Sequence, residues 1–333
     1  MKVNDILKIE DITVEFILDS GNLRALNKVS LDVKQGEIIG LVGESGSGKT
    51  TLTSSILNIV SRPGKIMNGE IWYGNKNILE LDINRLNQFR WKEVSMVFQA
   101  AQNAMNPILT IQDHFIETVA AHEKNYSEEE VANKAAKLLG YVRLNPERVL
   151  KSYPHELSGG MRQRAIIALS LITDPKILIL DEPTTALDVI TQAYIFEILK
   201  ELHKKLNLTM IMSTHDVSVV GSMADRIAVM YAGEIVEITD VFTIFNNPHH
   251  PYTRGLIMAT PSLTDDLNNR KAIKGNPPNL MELPKGCNFA PRCEYCIAKC
   301  LDTKPEATMI NENHMVRCHN YEEVIARGHI TKS

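Results

Sequence analysis

The sequence lacks any long basic run. Lysine and arginine total 36 against 40 acidic residues, so the electrostatic footprint of a nucleic-acid binder is missing and nucleic acid is not expected as a partner. It also lacks a long apolar stretch. Runs such as Ile177 to Leu180 fall far short of the roughly 20 residues that span a bilayer, so membrane contact is expected only through partners. The start, Met1 to Phe16, carries acidic residues early and has none of the charged, apolar and small-residue order of a signal peptide. No internal repeat is present. No cysteine precedes Cys287, and all five lie between Cys287 and Cys318; in a chain with no export signal this reads better as a metal site than as a disulfide framework.

What is present is a 333-residue chain of 44% hydrophobic composition, enough for one large core and a smaller appendage. Short β segments are expected at Leu7 to Phe16, Ala25 to Val33 and Ile38 to Val42. The last runs into a glycine-rich turn and then a helix-compatible stretch from Thr50 to Val60, the strand, loop and helix order of a nucleotide-binding unit. From Ser127 to Leu139, serine, then acids, then lysines predict a capped helix aligned with its own dipole. Further strands are expected at Ile177 to Leu180 and Thr209 to Ser213 with a helix from Val189 to Leu206 between them. This alternation predicts an α/β fold with a mostly parallel sheet. After about Asn246, proline-rich punctuation marks a loop-rich appendage.

The segment Gly43, Glu44, Ser45, Gly46, Ser47, Gly48, Lys49, Thr50, followed by Thr51, fits the P-loop pattern in the context that motif requires, after a strand and before a helix. Its glycines let the backbone turn its N–H groups toward phosphates, Lys49 supplies a point charge to the β and γ phosphates, and the Thr50 hydroxyl can take Mg²⁺. Asp181 and Glu182 end an apolar strand. Asp181 suits Mg²⁺, usually through water, and Glu182 can polarise an attacking water as general base. Ser158, Gly159 and Gly160 precede a helix-compatible stretch, Met161 to Leu171, and form a second anion site from hydroxyl, amides and helix end.

Leu157 to Arg164, Leu-Ser-Gly-Gly-Met-Arg-Gln-Arg, moves the reading to one family. Over residues 1 to about 245 the sequence resembles ABC ATPases, with Gln99, Ala186-Leu-Asp188 and His215 following in order. That resemblance implies an ABC-type P-loop NTPase fold: a RecA-like core at 1–99 and 161–245 with antiparallel β segments, and a helical subdomain at 100–160 that receives membrane subunits. It implies two ATPase subunits paired head to tail, each ATP lying between one P-loop and the other subunit's signature. In it Gln99 senses the γ-phosphate and Mg²⁺, His215 contacts the γ-phosphate and supports the geometry around Glu182, Asp188 belongs to the loop joining the two sites, and Phe16 is the best-placed aromatic to stack on adenine. The text after Gln99, Ala-Ala-Gln-Asn-Ala-Met-Asn-Pro107, departs from the acidic residue and proline common in the family, which bears on the local permease contacts.

The tail, 246–333, resembles the C-terminal region of oligopeptide, dipeptide and nickel importer ATPases through Asn247 to Thr253, Gly286 to Cys293, Cys300 and Val316 to His319. The resemblance implies an importer ATPase for di- or oligopeptides, with nickel or another solute as the alternative, working at the cytoplasmic face of the membrane with two permease subunits, a second ATPase subunit and, indirectly, a solute-binding protein. Some members bind a [4Fe-4S] cluster, here through Cys287, Cys293, Cys300 and Cys318, leaving Cys296 supernumerary. Zinc is the alternative, since Cys293-x2-Cys296 is half of a Cys₄ site, and unmetallated thiols are a third reading. A non-transport ABC ATPase is disfavoured by the roughly 100 residues between P-loop and signature and by the single cassette, and a metabolic P-loop kinase leaves Leu157 to Arg164 unexplained.

Overall fold

A computed structural model describes residues 5–185, 187–259 and 273–326. The strands are β1 (Asp5–Leu18), β2 (Gly21–Lys34), β3 (Ile38–Val42), β4 (Gly64–Tyr73), β5 (Lys76–Asn77), β6 (Val94–Val97), β7 (Ile177–Asp181), β8 (Thr209–Thr214), β9 (Arg226–Tyr231), β10 (Glu234–Asp240), β11 (Thr308–Asn311) and β12 (His314–Val316). The chain divides into two compact units: Met1–Lys34 with Ile38–Leu79 and Ser213–Ser333, and Gln35–Glu37 with Glu80–Met212.

In the first unit β1 and β2 form a hairpin that pairs Leu18 with Gly21, and β4 lies antiparallel on the other side of β1, giving the order β2-β1-β4-β5. Alternation explains its one-sided burial. Leu31 and Val33 are buried while Ser30 is exposed, the period-two pattern of a sheet with one face in water. By contrast every residue of β3 is buried, as expected for a strand covered on both faces. β3 pairs in parallel with β9, setting Val42 beside Val229, and this sheet continues antiparallel through β10 and β12 to β11. The tail therefore adds two strands to the sheet that carries the end of β3.

The second unit holds β6 and β7 in parallel, Val94 opposite Ile177 and Val97 opposite Leu180. Its helices include Ile83–Lys92, Ile111–His122, Glu128–Tyr141, Pro146–Val149, Gly159–Ser170 and Val189–Leu206. Their starts follow local capping chemistry. Thr110 and Asp113 make a reciprocal capping box, and Ser127 accepts from the Glu130 amide ahead of a first turn of three glutamates. The 18-residue helix Val189–Leu206 stops where Asn207 takes a left-handed conformation, after His203, Lys204 and Lys205 in the last turn. Among the described residues no helix is long and apolar enough to cross a membrane.

Candidate active site

The P-loop leaves the end of β3 and enters the helix Lys49–Ile56. Gly48 caps that helix at φ +106, where a Cβ would meet the Ala25 carbonyl oxygen at 2.8 Å, so the turn needs glycine. Gly48 has no side chain to cap this helix, and a helix start of this kind suits an anion. Lys49 is 5% exposed, and its Nζ donates to the carbonyls of Gly43 (2.7 Å) and Glu44 (3.0 Å) and to Ser47 Oγ (3.4 Å). The ammonium thus sits inside the loop that the phosphates would occupy. Ser47 is buried, Thr51 half-buried, and Ser45, Gly46 and Thr50 exposed; the Ser47 carbonyl accepts from the Gly233 amide, which ties the loop to the β9–β10 turn.

Two other predicted residues belong to this unit. Phe16 is half-buried on β1, opposite Leu23 and Gly64. His215 is exposed immediately after β8, and Asp216 beside it caps the short helix Val217–Gly221.

In the second unit Asp181 ends β7 at 1% exposure, and Glu182 follows at φ +46, a left-handed backbone that a non-glycine residue takes only where its surroundings enforce it. Gln99 Nε2 donates to Glu182 Oε2 at 2.9 Å and Thr185 Oγ1 donates to the same oxygen at 3.1 Å. These two donors aim one carboxylate oxygen. Gln99 and Glu182 are 83 residues apart in sequence, and the fold brings them together.

The signature segment begins the helix Gly159–Ser170, with Ser158 Oγ accepting from the Met161 amide at 3.3 Å. A Cβ on Gly160 would lie 2.7 Å from Thr191 Cγ2, and Thr191 is held by Asp188 through its amide (2.9 Å) and hydroxyl (2.6 Å). The Thr191 hydroxyl, then its amide, keeps the Asp188 carboxyl below its ordinary range. Asp188 therefore reaches the signature glycine through Thr191, a residue that sequence reading passed over.

Cys300 is buried, Cys287, Cys293, Cys296 and Cys318 are half-buried, and all five are free thiols. The Cys287 amide donates to the Cys300 carbonyl at 2.8 Å, and Cys318 Sγ accepts from the Asn320 amide at 3.4 Å. Burial first, and the other cysteines after it, push the Cys293 and Cys318 thiols up to about 12. A cluster of thiols that repel one another's charge suits a cationic centre that would hold them as thiolates. Among the described residues no three cysteine sulfurs lie within 4.8 Å of one another.

Sequence reading also missed Glu237. It is fully buried on β10; burial raises its carboxyl, but His314 and the amides of His249 and His250 outweigh that and hold it below its ordinary value. It anchors the Asn247 to Thr253 segment to the sheet. Two more residues from the tail reach the P-loop itself: Tyr252 Oη accepts from the Glu44 amide at 2.8 Å, and Arg292 pairs with the Glu44 carboxylate at 2.7 and 2.9 Å. Separations of 208 and 248 residues hid these contacts, although both residues lie in the motif-bearing stretches of the tail.

Comparison with known proteins adds to this geometry. Residues 26–185 match the ABC transporter family, and residues 236–300 match the oligopeptide/dipeptide transporter C-terminal region. The chain is 45% identical, over 96% of its own length and 98% of the relative's, to the dipeptide transport ATP-binding protein DppD of Caldanaerobacter subterraneus subsp. tengcongensis. It is 40% identical to the oligopeptide transport ATP-binding protein OppD of Escherichia coli, over 90% and 89% of the two chains. Among solved structures, a dimeric ATP-binding cassette in a post-hydrolysis state, bound to ADP and Pi, superposes with a TM-score of 0.62 at 31% identity, covering 71% of this chain and 98% of that one.

Proposed function

Since the chain belongs to the ATP-binding subunits of oligopeptide/dipeptide ABC transporters, an α/β family of ATPases coupled to transport, we propose that it hydrolyses Mg–ATP with the residues assembled above to drive uptake of di- or oligopeptides. The observation that carries this reading is Glu182, held by Gln99 and Thr185 in a strained backbone at the end of a buried strand, as a general base must be held. The P-loop from Gly43 to Thr51, with Lys49, binds the phosphates. Thr50, Asp181 and Gln99 serve Mg²⁺, which supplies charge neutralisation on the phosphates. Phe16 packs on adenine and His215 meets the γ-phosphate.

Ser158, Gly159 and Gly160 form a second phosphate-binding surface, linked through Thr191 to Asp188. It serves the ATP of a second ATPase subunit, identical or a paralogue, in a head-to-tail pair. The dimeric state of the similar cassette supports this arrangement. Residues 1–99 and 161–245 form the ATP-binding core and 100–160 the helical subdomain that meets two permease subunits at the cytoplasmic face of the membrane, supplied with solute by a binding protein. Vesicles containing the assembled transporter test the substrate. Mg–ATP inside and labelled dipeptide with its binding protein outside should give uptake, whereas uptake of nickel chelates alone would replace the peptide assignment.

Residues 246–333 carry a metal-binding region in this reading. Cys287, Cys293, Cys300 and Cys318 would hold a [4Fe-4S] cluster, which would crosslink a loop-rich segment. Zinc is the alternative, since Cys293 and Cys296 are spaced as half of a Cys₄ site. Anaerobic purification should give a brown protein with iron and sulfide; a colourless, zinc-loaded protein would overturn the assignment.

A further inference from the structure

The Glu44 peptide is held on every side. Its carbonyl accepts from Lys49, its amide donates to Tyr252 Oη at 2.8 Å, and both its carboxylate oxygens accept from Arg292. Arg292 is built into this place. Its side chain is 5% exposed, and its five N–H groups have five acceptors: two Glu44 oxygens, Tyr231 Oη (3.4 Å) and the carbonyls of Lys274 (2.9 Å) and Gly275 (3.2 Å). Tyr252 is equally fixed, with its ring centroid 4.6 Å from that of Tyr231 and 5.4 Å from that of Phe289.

We propose that Arg292 and Tyr252 are positioning residues for the phosphate loop, clamping the Glu44 peptide so that the loop keeps its shape when nucleotide draws Lys49 away from the loop carbonyls. The inference rests on the P-loop reading above. The logic is one of replacement: a Lys49 ammonium that turns to phosphate gives up its bonds to Gly43 and Glu44, and what then holds Glu44 is the Ser47 amide on its carbonyl from within the loop (3.2 Å) and, from outside the loop, the tyrosine hydroxyl and the guanidinium fork. Both residues act on the peptide of the phosphate loop, so the clamp is expected to set nucleotide affinity and not the chemical step.

The test measures Kd for a fluorescent ATP analogue, and KM and kcat for Mg–ATP, on the full chain in its transporter. Arg292→Ala should raise Kd and KM about tenfold with kcat within about twofold, as for loss of a largely buried, bidentate charged pair. Arg292→Lys should recover part of the loss, since it keeps the charge without the fork. Tyr252→Phe should raise Kd about threefold, roughly what one lost hydrogen bond yields. Adding Glu44→Ala to Arg292→Ala should cost little more than either change alone. Thermal denaturation checks the fold, and if Arg292→Ala unfolds the chain, Tyr252→Phe, which removes one oxygen atom, decides. Parent affinity in Tyr252→Phe and in any folded Arg292 variant, while Lys49→Ala abolishes binding, overturns the clamp; so does a fall in kcat at unchanged KM. Parent affinity in Lys49→Ala overturns the P-loop reading beneath it.

Discussion

Two helices in this molecule begin at glycine-bearing turns suited to anions, and they are furnished differently. At Lys49–Ile56 the cap is Gly48 in a left-handed conformation with no capping side chain, and the cation Lys49 is buried inside the loop. At Gly159–Ser170 the cap is Ser158, whose hydroxyl already serves Met161, and Gly160 leans on Thr191. The first has the amides and the charge to gather a triphosphate on its own. The second offers a hydroxyl and amides, enough to complete the shell of a phosphate whose charge another loop has balanced. That contrast supports the proposal that one ATP is shared between two subunits.

Substitutions at the two turns sharpen the contrast. Gly48→Ala forces a Cβ to within 2.8 Å of a backbone oxygen in a conformation that disfavours it, so it should cost about 3 kcal/mol or more and abolish nucleotide binding, read by thermal denaturation and analogue titration. Acid should act next, and on the P-loop's side of the comparison. Burial pushes the His250 imidazole down to about 4, and its Nδ1 accepts from the Tyr252 amide. Between the ordinary value of 6.5 and about 4 the unfolded chain takes up a proton that the folded chain refuses, so stability falls as pH falls through that window. The loss is at most about 3 kcal/mol, and His250→Gln should flatten the pH dependence of the melting temperature. The smallest effect belongs to the signature. Ser158→Ala removes an exposed cap worth about 1 kcal/mol, and should leave the affinity of this chain's own P-loop for ATP unchanged while lowering turnover of the assembled transporter.

Much of this was legible in the sequence because the signals are local. The helix expected at Val189 to Leu206 has those bounds, since Asp188 caps it and Asn207 ends it. The helix after Ser127 runs two residues beyond its expected end at Leu139, to Tyr141. The stretch Thr50 to Val60 is helical only from Lys49 to Ile56. Strands β4, β5, β9 and β10 went unforeseen, as did β11 and β12 in a tail read as loop-rich; the resemblance implied antiparallel β segments but not where they lie. Residues such as Glu237 supplied no signal there, because a charged residue at the centre of a strand reads as exposed until its partners, His314 and the amides of His249 and His250, are known. The parallel order expected for the sheet holds for β3 with β9 and for β6 with β7. At the site, the chemistry proposed for Gly43 to Thr51 and for Glu182 follows from residue type and spacing. Its second layer could not: Thr185 aiming Glu182, Thr191 under Gly160 and Arg292 on Glu44 are facts of folding across 3 to 248 residues that no spacing rule encodes.

The most direct measurement is Mg–ATP turnover by the Glu182→Gln variant in the assembled transporter, with retained nucleotide assayed in parallel. If Glu182 is the general base, the variant keeps binding Mg–ATP, holds it in the closed pair of subunits, and turns over at least about 100-fold more slowly. Hydrolysis at the parent rate would contradict the account at its centre.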